Sequence, residues 1–167
     1  MYDELTEVDI KKMQEEIDHR VRVLRPQLIE EVQVTRAFGD LSENYEYKCA
    51  KQAKNRNESR IRYLERMIRT AKVIEVKSDE DTVSLFDKVT IFNEMVKKEM
   101  TIQIVTTLRQ DALKGLISKE SPVGKAVMGC KVGDRVQVEV SPTLKYFVEV
   151  RDIEKGEDDE SLEISSY

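Results

Sequence analysis

Two long runs of apolar residues spaced three and four apart, divided by one short polar stretch, commit the first half of this chain to a helical hairpin. In the first run, Leu5 to Ala37, the stripe is Ile10, Met13, Ile17, Val21, Leu24, Leu28 and Val32. In the second, Glu43 to about Ile74, it is Ala50, Ala53, Ile61, Leu64, Ile68 and Ala71. Thr6 with Asp9 three residues on gives a helix start signal. Pro26 removes one backbone hydrogen bond, so a kink or loosened turn is expected there while the stripe continues. The second stripe is thin near the turn and thick toward the base, which predicts tighter packing at the base. Lys54 and Asn57 fall close to it, so the middle is polar and Asn57 is placed to fix register. About 30 helical residues at ~1.5 Å each reach on the order of 45 Å.

The dividing stretch is Gly39-Asp40-Leu41-Ser42-Glu43-Asn44-Tyr45-Glu46-Tyr47. Gly39 suits a left-handed end to the first helix. Asp40 with Glu43 three residues later has the form of a capping box opening the second. The bland reading of these carboxylates is a helix cap; the sharper one is a cluster of acidic groups carried at the end of a probe.

Charge divides the chain. From Lys11 to Lys77 there are 16 Lys and Arg against 11 Asp and Glu, and the remainder has 12 against 22. Lys48, Lys51, Lys54, Arg56, Arg60, Arg62, Arg66 and Arg69 make the second helix basic on the side away from the seam. Phosphate contact by charge, through residues such as Lys48, Lys51 and Arg56, competes with a plain solvated face. Nothing approaches the ~20 apolar residues of a membrane span, and the N-terminus lacks the layout of a signal peptide. A soluble cytoplasmic protein that does not engage a membrane is expected. Cys49 and Cys130 form no CxxC pair and His19 has no second ligand nearby, so no self-contained zinc site is expected. Gly-rich phosphate loops and a Ser-His-Asp order are also missing from the sequence.

Past Lys77 the pattern turns from helical to alternating. Val83–Phe86, Asp87–Phe92, Glu99–Val105, Arg135–Val140 and Leu144–Val150 read as strands of a mostly antiparallel sheet. Ser121-Pro122 opens a short helix ending near Gly129. The resulting fold class is α+β, with a hairpin over residues 1–77, a linker over 78–82, a β domain with one short helix over 83–153, and an acidic disordered tail over 154–167.

Gly39-Asp40-Leu41-Ser42-Glu43-Asn44, followed by Glu46-Tyr47, resembles the tip motif of bacterial Gre-type (GreA/GreB) transcription elongation and transcript-cleavage factors. Arg60 to Glu65 with Ala71 to Ile74 is similar to the end of that family's second helix, and Ser121-Pro122 with Gly129 and Val132-Gly133-Asp134 to its C-terminal signature. The A-type is the nearer match. The resemblance implies a long antiparallel coiled-coil hairpin followed by a small FKBP-like antiparallel β domain. It implies a partner, bacterial RNA polymerase, with the hairpin in its secondary channel and the C-terminal domain at the rim.

The activity implied is stimulation of the polymerase's own cleavage of backtracked RNA, so the chain is not itself the enzyme. By the same resemblance Asp40 and Glu43 assist the polymerase active site and share a Mg²⁺ ion there, no cofactor being tightly bound. Ser42, Asn44 and Tyr47 support the tip, Ser121 and Pro122 dock on the polymerase, and the backtracked RNA 3′ end is the nucleic acid approached. A monomer is expected when free. Two alternatives stand beside this reading: a Gre-like channel binder that inhibits without promoting cleavage, and a charged hairpin that binds nucleic acid or a client protein.

Overall fold

The computed structural model describes residues 3–40 and 42–166; Leu41 of the tip stretch and the outermost residues of the expected hairpin and tail ranges lie outside the described residues. The chain divides into two units, residues 10–71 and residues 3–9 with 72–166. The fold is a long helical hairpin followed by a curled β domain.

The hairpin comprises α1 (Glu7–His19), a π-helical turn at Arg20–Leu24, α2 (Arg25–Arg36) and α3 (Tyr45–Thr70). The first helix is therefore not one α-helix from Leu5 to Ala37. Pro26 sits in the first turn of α2 and has no N–H to donate, and just before it the Arg25 N–H bonds the carbonyl of Arg20, five residues back. The loosened turn lies N-terminal to the proline, as the lost hydrogen bond requires. At the start of α1 the Thr6 and Asp9 signal closes as a full capping box: the Thr6 N–H donates to the Asp9 carboxylate at 3.1 Å and the Asp9 N–H to the Thr6 hydroxyl at 3.3 Å.

Packing in the hairpin is densest toward its base, where Met13, Ile17, Ile61, Leu64 and Met67 are buried. The middle is polar. Asn57 is buried there and accepts from the Arg20 guanidinium at 3.0 Å. Arg60, expected on the solvated basic side, is instead buried in the seam, where it forms a two-pronged bond with Glu16 (2.9 and 3.1 Å). Ala53, expected in the seam, is exposed.

Burial alone would raise the Glu16 carboxyl, but the hydrogen bonds from Arg60 and Arg20 outweigh it and hold the group below its ordinary 4.5. Glu58 is lowered by its paired bonds from Arg25 (2.7 and 2.9 Å). A carboxylate whose pKa is lowered on folding contributes stability above its unfolded value, and this is lost as pH falls through the folded one. The hairpin should therefore lose helicity in acid, below about pH 4.5, with a shallower pH slope in Glu16→Gln. Circular dichroism at a series of pH values, parent against variant, checks this; equal slopes would remove Glu16 from the account.

The second unit holds a five-stranded sheet in the order β5-β4-β3-β7-β6, from β3 (Lys88–Asn93), β4 (Lys98–Val105), β5 (Leu116–Ser118), β6 (Arg135–Glu139) and β7 (Lys145–Glu154). All pairings are antiparallel except β4 with β5. A parallel pair, β1 (Glu4–Leu5) with β2 (Lys72–Val73), completes the strands of this unit. The core contains Val89, Ile91, Ile104, Val138, Val148 and Val150, with Val127 of the short helix α4 (Pro122–Val127).

Val83–Phe86 is a buried turn rather than a strand. Phe86 has φ 71°, a conformation costly for a bulky side chain. It is held there by its N–H to the Ile104 carbonyl (2.7 Å) and by the Gln103 amide to its own carbonyl (3.1 Å).

The acidic tail is not the disordered segment that composition suggests. Gly156 donates to the buried Asp87 carboxylate, Leu162 packs against the core, and Ser165 donates to the carbonyls of Leu108 and Gln110. Asp158 pairs with the buried Arg109 at 2.6 Å. A partner for a buried cation, lying in the tail, offsets the entropy of ordering it.

Candidate functional site

Ala37 closes α2, and Gly39 (φ 79°) and Asp40 (φ 38°) then turn the chain through left-handed backbone. Glycine adopts that conformation freely and aspartate tolerates it better than most residues. The Asp40 carbonyl accepts from the N–H groups of both Glu43 (3.2 Å) and Asn44 (2.9 Å), which closes the turn.

The cap of α3 is Asn44, not Asp40. Its side-chain oxygen accepts from the Tyr47 N–H at 2.9 Å, while its amide donates to the Thr35 carbonyl at 2.7 Å and the Gly39 carbonyl at 3.3 Å. One side chain thus satisfies a free N–H at the start of α3 and braces the Thr35 carbonyl near the end of α2, which also accepts from the Phe38 N–H. The second helix accordingly begins at Tyr45, two residues after Glu43. Two cap-forming residues stand within five positions of each other, and the glutamate three residues after Asp40 favoured the wrong one; the signal pointing to Asn44 is that an amide can donate and accept at once.

Asn44→Ala should destabilise the hairpin by about 1–2 kcal/mol, and Asn44→Asp by less, since the acceptor survives. Thermal melts of the two variants measure this. Parity of Asn44→Ala with the parent would deny the clamp.

With capping assigned to Asn44, both tip carboxylates are exposed. The Asp40 carboxylate accepts only from the Ser42 hydroxyl, at 3.0 Å, among the described residues, and the Glu43 carboxylate has no partner among them. Tyr47 is half-buried, whereas Phe38 and Tyr45 are exposed beside the tip. No three His, Cys, Asp or Glu side chains gather to hold a metal ion among the described residues. Asp40 and Glu43 are hard oxygen donors of the kind Mg²⁺ takes.

Residues 4–73 match the family described as "Transcription elongation factor, N-terminal", and residues 77–155 the family described as "Transcription elongation factor, GreA/GreB, C-term". The chain belongs to the GreA/GreB family of transcription elongation factors. Among relatives of this Gre-type chain, "Transcription elongation factor GreA" of Mesoplasma florum is 39% identical over 150 residues, 89% of this chain and 96% of that one. The protein of the same name from Thermoanaerobacter pseudethanolicus is 42% identical over 137 residues, 81% of this chain and 87% of that one. The crystal structure of GreA factor homolog 1 from Thermus thermophilus is similar over 93% of this chain and 100% of that chain, at 25% identity and a TM-score of 0.43.

The other residues singled out in this Gre-type sequence fall outside the tip stretch of the chain. Lys48, Lys51 and Arg56 are exposed on α3, and farther along it Arg62, Arg66 and Arg69 line a shallow concavity with Tyr63. Ser121 caps α4: its hydroxyl accepts from the Gly124 N–H (3.0 Å) and donates to the Ser118 carbonyl (2.7 Å). Pro122, the first residue of that helix, is exposed. No described helix is long and apolar enough to cross a membrane.

Proposed function

We propose that this Gre-type chain inserts its hairpin into the secondary channel of bacterial RNA polymerase and stimulates the polymerase's own cleavage of backtracked RNA. The observation that carries this reading is that Asn44 does the capping, which leaves Asp40 and Glu43 exposed and unspent at the end of the hairpin. At ~1.5 Å per residue the 26 residues of α3 extend about 39 Å, enough to carry the pair deep into a larger molecule. Asp40 and Glu43 would offer oxygens to a Mg²⁺ ion shared with the polymerase active site, and when bound that ion supplies charge stabilisation and an activated water for phosphodiester hydrolysis. The chain's own part is to present the two carboxylates, orient that water by hydrogen bonding, and hold the tip in shape through Asn44, with Ser42 bonded to Asp40 and Tyr47 beside them. Lys48, Lys51 and Arg56 are placed to meet phosphates, the RNA 3′ end among them, by charge. The chain acts as a cytoplasmic monomer on the polymerase.

Docking at the channel rim is assigned to the Ser121-Pro122 corner. Because the Ser121 hydroxyl is engaged on both sides, the surface offered is mainly that of Pro122. Pro122→Glu, which keeps a residue tolerated in a first helical turn, should weaken competition for polymerase by on the order of 10-fold, a loss of about 1.4 kcal/mol, with an unchanged melt. Unaltered competition would move the rim contact elsewhere.

The reading is tested by adding the chain to purified bacterial polymerase stalled in a backtracked complex and following the labelled transcript. Shortened RNA and renewed elongation are expected, with no cutting of free RNA by the chain alone. Binding that blocks elongation without shortening the RNA would establish the inhibitory alternative.

A further inference from the structure

The two sides of the hairpin seam do not keep the same count. On α3 the buried residues recur at intervals of seven, Ala50 to Asn57 to Leu64 and Arg60 to Met67. On the facing side Met13, Ile17 and Leu24 turn inward seven apart from Ile17 to Leu24, with Arg20, seven after Met13, and its neighbour Val21 both half-buried between them. Continued at seven, the series would next bring in Gln27, Glu31 and Val34, yet all three are exposed. The residues turned inward are Leu28, Val32 and Thr35, each one position later. One extra residue has been taken up between Leu24 and Leu28 or just before.

The π turn at Arg20–Leu24 is where it goes. Its Arg25 N–H to Arg20 carbonyl bond spans five residues rather than four, and a single added residue in an α-helix produces this kind of turn. Left in a regular α-helix, that residue would rotate α2 by about 100° off the seam. Asn57 stands opposite the turn, 4% exposed. It accepts from the Arg20 guanidinium at 3.0 Å and donates to the same Arg20 carbonyl at 3.4 Å. The turn is flanked by the Arg25–Glu58 and Glu16–Arg60 pairs.

We propose that the π turn is a one-residue phase corrector and that Asn57 and Arg20 are positioning residues, locking the rotation of α2 so that the tip carboxylates face a fixed direction. The functional half of this rests on the tip-delivery reading above; the geometric half does not.

Two variants test it. Deleting Val23, an exposed residue of the π turn, should restore a regular helix with the seam on both sides still in phase. That protein should fold, melt no lower than the parent, and stimulate cleavage within about 2-fold of it. Asn57→Leu keeps a side chain of similar size in the seam but frees the turn. It should lose at least about 10-fold in maximal cleavage at saturating protein, with the half-saturating concentration changed by less than 3-fold.

Combining the deletion with Asn57→Leu should restore activity, because no turn then needs locking. Loss of stability alone would not give that rescue. Spin labels at Val34→Cys and Gln52→Cys, in a Cys49→Ser background, report the tip rotation without any polymerase. One narrow distance is expected in the parent and in the deletion, and a broad distribution in Asn57→Leu. An unfolded or phase-shifted deletion variant, or an Asn57→Leu protein with the parent's distances and activity, overturns the inference. Distances as expected in a parent that never stimulates cleavage would leave the phase corrector standing and sink the delivery reading instead.

Discussion

Asp9→Ala is expected to cost the second unit about 3–5 kcal/mol, because it strips a buried arginine of its fully buried carboxylate partner. The Arg109 side chain has no exposed surface and places Nε 2.6 Å from the Asp9 carboxylate, with Nη2 3.2 Å from the Thr6 hydroxyl. Its guanidinium also lies over the Phe86 ring, 4.8 Å from the centroid. Asp9 is at the same time half of the capping box that starts α1, so its loss removes a hydrogen-bonded cap as well. Asp158→Ala should cost less, since that carboxylate retains some exposure and Asp9 would still compensate the charge. Amide exchange in β3 and β4 reads both effects. A loss below about 1 kcal/mol for Asp9→Ala would mean that water or other groups replace the pair.

That network also shows why part of the fold was not legible in the sequence. Local pattern located the hairpin, the left-handed Gly39, the Thr6 start, the Ser121-Pro122 helix and most of the sheet, all features whose causes lie within a few residues. The failures depend on partners far along the chain. Val83–Phe86 alternates like a strand, but Asp87 is bound by Lys155 and by the Gly156 N–H, which fixes the segment as a turn. Gly156, which looked like tail composition, is packed so closely that a Cβ there would lie 2.0 Å from the Phe86 carbonyl oxygen. The tail reads as disordered because its acidic residues have no local reason to order; their reason is Arg109. Strand β5 has three residues and pairs in parallel, too short for alternation to register.

At the tip, the acidic residues and their crowding were legible but their division of labour was not. Asp40 and Glu43 fit the spacing of a capping box, and spacing alone cannot tell a cap from a free carboxylate. The decision lies in the three hydrogen bonds made by Asn44. Asp40→Asn should therefore leave stability within about 0.5 kcal/mol of the parent: the residue is exposed, asparagine also tolerates the left-handed backbone, and no cap is lost. Glu43→Gln should be equally silent in a melt.

Function should respond quite differently. A neutral amide is a poor ligand for a hard cation and a poor acceptor for a water that must lose a proton. Each substitution should therefore lower maximal cleavage on the order of 100-fold, without weakening binding to polymerase. The deciding measurement is the rate of transcript cleavage in a stalled, backtracked complex at saturating Asp40→Asn or Glu43→Gln protein, with occupancy confirmed by competition. Loss of stimulation at full occupancy and parental melting temperature is the result predicted here; parental stimulation by either variant would contradict the role given to that carboxylate.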